Sequence, residues 1–175
     1  MTNDTNLSFP IGPYKVPHPI TETHLQEWIQ TIRAFPNKLE AAVTGLSDEQ
    51  LDTPYRPGGW TVRQLVHHIA DSHMNAYTRF KLGISEENPT IKPYDQEAWS
   101  KMVDSQLPIS LSLGIIKGLH ERWATFLQAN QDWQRTIFHP EAQKVIPLDA
   151  LAGDYAWHSE HHLAHILNLI EREGW

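Results

Sequence analysis

The sequence predicts an all-α fold, a four-helix bundle with an extended N-terminal arm. In four long segments the apolar residues recur at intervals of three and four, which is the period of an amphipathic helix. Capping-box patterns, in which Ser47 precedes Gln50 and Thr61 precedes Gln64, mark two helix starts. Strand-like alternation is limited to a weak hairpin pattern from Thr136 to Ile146. A length of 175 residues fits one domain, residues 1–175.

The first helix is predicted from Thr21 to about Gly45, and Pro36 is expected to bend or interrupt it. Its apolar face consists of Leu25, Trp28, Ile29, Ile32, Phe35, Leu39 and Val43. A short helix is expected after Ser47. Before Thr21, four prolines break regular structure, so the first 19 residues should form an arm that packs on the surface through interleaved apolar side chains.

Three further long helices follow. The second runs from Val62 to about Ile84, and a helical turn is expected around Trp99. The third runs from Leu111 to Leu127, with four side chains predicted to point inward: Ile115, Leu119, Trp123 and Phe126. The fourth runs from Leu148 to Glu173 and follows Pro147, a residue that is tolerated at a helix start. Four helices of this length build a bundle whose inward side chains can form a metal site.

Composition restricts the function classes. The net charge is -7 and the basic residues are scattered, which argues against binding nucleic acid or an anionic membrane. No apolar segment reaches the roughly 18 residues of a membrane span, and the N-terminus lacks a signal-peptide pattern, so a cytoplasmic location is expected. Because the chain has no cysteine, thiol chemistry would need a thiol from the substrate.

Histidines are the unusual feature, since seven of the eleven fall in two helical clusters. The clusters are His67, His68 and His73 on the second helix, and His158, His161, His162 and His165 on the fourth. Histidines four residues apart can reach one ion from one helix face. On a helical wheel, His158 and His162 lie on or beside the apolar face, whereas His161 and His165 turn toward solvent.

A third ligand must come from another helix, because metal sites normally use three or four protein ligands. The wheel excludes His67 but leaves His68 and His73 in competition. A metal-free polar network of histidines also remains open. A zincin protease is excluded, because the segment HSEHH differs from HExxH and Glu160 points away from His158. Asp71, His73, Asp154 and His165 are near enough along their helices to orient the ligands.

Two histidine-containing segments are GGWTVRQLVHHIADSHMNAYTRFK at 58–81 and YAWHSEHHLAHI at 155–166. They resemble the DinB-like metal-binding superfamily, closest to its YfiT branch, whose members are described as metal-dependent hydrolases and as bacillithiol S-transferases. The family pattern has a tryptophan eight residues before a ligand histidine, which matches Trp60 and His68, and an HxxxH that matches His158 and His162. The resemblance implies a homodimer with zinc or nickel bound by these three histidines, one ion per subunit.

Three functions follow as hypotheses. In the first, an S-transferase, the metal binds bacillithiol or a similar low-molecular-weight thiol as thiolate, which attacks a small electrophilic substrate. In the second, a hydrolase, the metal generates hydroxide and a nearby side chain acts as the general base. In the third, a noncatalytic stress-response module, the ion only joins two helices. Trp60, Trp99 and Trp157 are candidate walls of a substrate cavity.

Overall fold

The four long helices predicted from periodicity form a bundle in the computed structural model, which describes residues 7–175. The elements in chain order are α1 (Glu22–Val43), α2 (Asp48–Leu51), α3 (Val62–Ser85), α4 (Gln96–Trp99), a 3-10 helix (Val103–Gln106), α5 (Ser110–Gln128), β1 (Thr136–His139), β2 (Lys144–Pro147) and α6 (Leu148–Glu173). Helix α1 packs against α5 and α6, and α3 packs against the same two helices. The bundle is therefore a ring in which each long helix has two long neighbours.

Helix α1 begins after Thr21, whose side chain accepts from the backbone N–H of His24, and it continues unbroken past Pro36. Of the predicted bend or interruption at Pro36, the interruption does not occur. Proline has no N–H for the carbonyl of the residue four positions earlier, here Ile32. That carbonyl instead accepts a hydrogen bond at 2.6 Å from Nδ1 of His120. A side chain of α5 thus replaces the donor that the proline removed.

The buried face of α5 differs from the prediction. Trp123 is fully buried as expected, but Ile115 is 43% exposed and Leu119 and Phe126 are only partly buried. The buried side chains of this helix are Ser112, Ile116, His120, Trp123, Ala124 and Leu127. Helix α5 packs between α1 and α3, so its buried face is the one that contacts both neighbours. This face is rotated by about one residue from the predicted face.

The predicted hairpin is confirmed as the antiparallel pair β1 and β2, in which Ile137 faces Ile146. Ile137 has no solvent exposure. It approaches α3 at Gly83, where a Cβ would lie 3.1 Å from Ile137 and 2.9 Å from Leu148. The second strand leads directly into α6, which begins after Pro147 as predicted, with Pro147 as its N-cap.

The N-terminal arm lies against α6 in the part that the structure describes; residues 1–6 of the predicted arm lie outside it. The indole N–H of Trp157 donates to the carbonyl of Gly12 at 3.1 Å. The ring of Tyr14 lies 6.3 Å from that of Trp157, centroid to centroid. The expectation that the arm packs on the surface is confirmed for these residues.

Two apolar clusters fill the bundle, and buried histidines lie between them. On α3 the two clusters approach each other at Ala70 and Ala76, and His73 lies in the gap. On α5, His120 falls between Ile116 and Trp123 in the same way. Within residues 7–175, no helix combines the length and apolar character needed to span a bilayer.

Candidate metal centre

His68 of α3 and His158 and His162 of α6 converge on one point. One ring nitrogen from each lies within 4.8 Å of the others. The two Nε2 atoms of His158 and His162 are 3.0 Å apart. Imidazole nitrogens bound to one tetrahedral zinc at about 2.0 Å lie about 3.3 Å from each other, so the three rings are close to the arrangement that one ion needs. The helical wheel did not distinguish His68 from His73 as the third candidate ligand, and the structure groups His68 with His158 and His162.

The local structure explains the convergence. His158 and His162 are one helical turn apart on α6, so both rings face the same neighbour. Thr61 caps the start of α3 through a capping box with Gln64, and His68 lies two turns into that helix. The ring of Trp60, just before the cap, lies over His68 with 4.6 Å between ring centroids. The capped helix start and the tryptophan together fix the third imidazole.

Burial keeps these imidazoles neutral. It lowers the pKa of His68 to about 4. It also lowers the pKa values of His158 and His162 well below the ordinary range, and the repulsion that would arise between positively charged neighbouring histidines lowers them further. A histidine binds a metal through the lone pair of its neutral form. The three rings therefore have the protonation state that a metal ligand requires at neutral pH.

Behind the three rings lies a chain of buried imidazoles. Nε2 of His73 lies 3.1 Å from Nδ1 of His158, and Nδ1 of His73 lies 2.8 Å from Nε2 of His120. Of the four residues predicted to orient the ligands, His73 therefore contacts one directly. His120 was missed by the sequence reasoning. Its spacing from Ile116 and Trp123, four and three residues, was the signal that places it on the inward face.

The prediction that His161 and His165 face solvent is wrong, since their exposed fractions are 7% and 4%. His161 stacks on Trp157 at 4.4 Å and lies 5.9 Å from the ring of Phe9 in the arm. His165 stacks on Tyr55 at 4.2 Å. The N-terminal arm and the loop before α3 cover the side of α6 that a helical wheel assigns to solvent. Together with His162, these two rings form a second group with ligand-compatible spacing.

The remaining site candidates lie elsewhere. His67 is buried, but its ring nitrogens contact the Ser112 hydroxyl at 2.7 Å and the Leu107 carbonyl at 2.9 Å. Leu107 of the loop before α5 and Ser112 of α5 cover this face of α3, so His67 is buried there and, as the wheel predicted, lies outside the metal group. The Glu160 carboxylate pairs with Lys38 at 2.7 Å, which agrees with the exclusion of a zincin base.

A cavity of about 550 Å³ lies over the histidines. Its lining residues are Ser8, Phe9, Tyr55, Arg56, Gly58, Gly59, Trp60, Gln96, Glu97, Trp157, His161, His165 and the three converging histidines. Trp60 and Trp157 are walls as predicted, whereas Trp99 is not part of the lining. Glu97 is the one carboxylate among these described residues, and it accepts from the Trp60 indole at 3.0 Å and pairs with Lys101 at 2.9 Å.

A family model described as the DinB superfamily matches residues 31–166, which include all three converging histidines. The chain belongs to the DinB superfamily. It is similar to the "Putative metal-dependent hydrolase YfiT" of Bacillus subtilis, with 50% identity over 173 residues and 97% of each chain covered. A "Putative metal-dependent hydrolase" of Bacillus pumilus is also 50% identical over 173 residues, with 98% of this chain and 99% of the relative covered.

A solved structure shares the fold. It is YfiT from Bacillus subtilis, described as "a probable metal-dependent hydrolase with an unusual four-helix bundle topology". The TM-score is 0.95 at 50% identity, with 97% of this chain and 99% of that chain covered. The family predicted from the two histidine segments is therefore confirmed, and so is the four-helix bundle.

Proposed function

We propose that this protein is a metal-dependent enzyme in which His68, His158 and His162 hold one divalent ion, zinc or nickel. The reaction that we propose is transfer of a low-molecular-weight thiol, such as bacillithiol, to a small electrophile. The observation that carries the proposal is the convergence of three neutral imidazoles at a cavity, with one ring nitrogen from each within 4.8 Å of the others. The relatives named metal-dependent hydrolases support the metal requirement.

The ligand set favours catalysis over a purely structural role. Three imidazoles carry no charge to neutralise a divalent ion, and they leave at least one coordination position free. When bound, the ion would lower the pKa of a thiol or a water molecule that enters this position. The cavity of about 550 Å³ gives a small molecule access to it.

The lining of the cavity favours thiol transfer over hydrolysis. A metal-activated thiolate needs no general base in the attacking step, whereas hydrolysis benefits from a base that accepts a proton from water. Among the described lining residues the only carboxylate, Glu97, is already engaged by Trp60 and Lys101. The chain has no cysteine, so the thiol would come from a separate molecule.

Arg56 supports a thiol that carries negative charge. Arg56 lines the cavity, its guanidinium forms no ion pair among the described residues, and its buried Nε atom has no hydrogen-bond partner there. Its only hydrogen bond in that part of the chain goes from NH1 to the carbonyl of Pro57 at 3.3 Å. A guanidinium is suited to bind a carboxylate or phosphate with two parallel hydrogen bonds.

Hydrolysis is the second candidate, supported by the names of the relatives and by His161. This imidazole lines the cavity, and its Nδ1 atom is buried with no hydrogen-bond partner in residues 7–175. Burial lowers the pKa of His161, so the ring is neutral at pH 7 and able to accept a proton. In this alternative His161 acts as the general base.

The test begins with metal analysis of protein purified without a nickel column. Turnover of bacillithiol with a chloro-aromatic substrate is then compared with ester hydrolysis, for the wild type, His158→Ala and His18→Ala. His18 is an exposed histidine outside the cavity, so this variant is a matched control. We expect about one ion per chain and thiol turnover in the wild type and His18→Ala, with both lost in His158→Ala.

Each other outcome has a defined meaning. Ester hydrolysis without thiol turnover, abolished by His161→Gln, would replace the transferase by the hydrolase. Metal bound without either activity, together with a much lower melting temperature after chelation, would favour the noncatalytic module. Full metal content in His158→Ala would overturn the proposed ligand set.

A further inference from the structure

The chain of buried imidazoles ends on a backbone carbonyl that a proline has made available. Pro36 cannot donate to the Ile32 carbonyl within α1, and Nδ1 of His120 approaches that oxygen at 2.6 Å instead. The contacts continue from His120 to His73 at 2.8 Å and from His73 to His158 at 3.1 Å. Each of the four long helices thus supplies one group: Ile32 from α1, His73 from α3, His120 from α5 and His158 from α6.

The Ile32 carbonyl fixes the direction of every hydrogen bond in the series of imidazoles from His120 to His158. Ile32 can only accept, so His120 carries its proton on Nδ1, and its Nε2 is left as an acceptor. His73 must then donate from Nδ1 to His120 and accept at Nε2. His158 in turn donates from Nδ1 to His73. The remaining lone pair of His158 is on Nε2, the atom that lies 3.0 Å from Nε2 of His162.

The surroundings of His73 and His120 are apolar, so burying these two imidazoles costs free energy that simple filling of the space would not require. His73 and His120 have no solvent exposure. Phe35 packs on both rings, at 5.6 Å from His73 and 5.4 Å from His120, and Trp123 contacts both at its edges. Burying two polar rings in such a site costs free energy that an apolar pair of similar volume would avoid. Burial also lowers the pKa of His120 to about 4, consistent with a single proton on its ring.

We propose that His120 and His73 are positioning residues that act through His158. They hold its ring in the tautomer that presents Nε2 to the ion, and Pro36 contributes by freeing the Ile32 carbonyl. This inference rests on the proposed metal site. It assigns a role to residues that do not touch the ion, and it links metal affinity to the correct assembly of all four helices. A ligand histidine usually has its second nitrogen held by a carboxylate, carbonyl or water; here two imidazoles transmit the effect of a carbonyl.

The first test is the tautomer of each histidine in the metal-free wild-type protein, measured by long-range ¹H–¹⁵N correlation with ¹⁵N-labelled histidine. We expect His73, His120 and His158 all to carry the proton on Nδ1. A proton on Nε2 of His158 would overturn the inference. This measurement needs no variant and no bound metal, so its result is separate from success or failure of the proposed function.

The second test is zinc affinity, measured by competition with a chelating dye. His120→Phe fills the space but removes both hydrogen bonds, and we expect the Kd for zinc to rise about 10- to 100-fold. His120→Gln keeps one donor and one acceptor and should recover most of the affinity. His67→Phe is the control, because His67 is also buried and contacts a carbonyl but is not one of the linked imidazoles. This variant should leave the Kd for zinc within about twofold of the wild type.

The variants also define the contrary result. If folded His120→Phe binds zinc as tightly as His67→Phe does, the imidazole chain has no positioning role. If the His120→Phe protein does not fold, the proposal is tested by the tautomers of the wild type and by the zinc affinity of His120→Gln. Loss of affinity in His120→Gln equal to that of a ligand deletion would mean that His120 is itself required as an imidazole, contrary to the proposal.

Discussion

The ring of Tyr55 stacks on the imidazole of His165 with 4.2 Å between ring centroids. Tyr55 belongs to the loop before α3, and its backbone N–H donates to the Trp60 carbonyl at 3.0 Å. The loop is thereby attached both to α6 and to the start of α3. The next residue, Arg56, lies in the cavity lining as a consequence.

Arg56→Gln is expected to weaken binding of an anionic thiol substrate at least tenfold, seen as a rise in KM with little change in kcat. The reason is loss of a bidentate charged contact that is the same in the bound and transition states. Arg33→Gln is the control, because Arg33 pairs with Glu121 on the surface away from the cavity. An unchanged KM in Arg56→Gln would show that the guanidinium does not contact the substrate.

Acid should destabilise the metal-free protein. The folded pKa values of His68 and His120 are about 4, below the usual 6.5. Between these values the unfolded chain binds protons that the folded protein does not, so stability falls as pH decreases from about 6.5 to 4. Each imidazole contributes about 1.4 kcal/mol per pH unit in this window. Urea unfolding at pH 7.5, 6 and 5 measures the trend, and a flat profile would contradict it.

Asp71 acts in the opposite direction. Burial and then the nearby charge of Asp104 raise its pKa to about 6, above the value of about 3.9 for an unfolded chain. The folded protein therefore binds more protons between these pH values, and stability is lost as pH rises through about 6. Asp71→Asn should raise the melting temperature at pH 7 and leave it unchanged at pH 4. Asp132→Asn, an exposed carboxylate, is the control, and a lower melting temperature for Asp71→Asn at pH 7 would refute the argument.

Gly153 and Gly114 should respond oppositely to alanine. A Cβ at Gly153 of α6 would lie 2.8 Å from the Trp28 ring and would also collide with the Tyr14 hydroxyl of the arm. We expect Gly153→Ala to lower the free energy of unfolding by about 1 to 3 kcal/mol. Gly114 lies on α5 with no atom within 4 Å of its Cβ position, so Gly114→Ala should add about 0.5 to 1 kcal/mol from helix propensity. Urea unfolding measures the free energy of unfolding of both variants. A higher value for Gly153→Ala than for the wild type would show that Tyr14 and Trp28 move aside at little cost.

The sequence by itself determined the helices and the family. Periodicity, the Thr61 capping box and Pro147 are local features, because a helix is defined by hydrogen bonds and side-chain spacing within one segment. For the same reason the alignment of His158 with His162 was predictable from a spacing of four. The choice of His68 over His73 came from a motif, since wheel geometry alone did not separate them.

Only the tertiary structure decided which faces are covered. A helical wheel describes one helix and contains no information about the arm or loop that packs on its outer side, so His161 and His165 were wrongly assigned to solvent. The two-sided packing of α5 placed His120 inside the bundle. Pro36 likewise became interpretable only when His120 was found at the Ile32 carbonyl, because that hydrogen bond joins residues 88 positions apart.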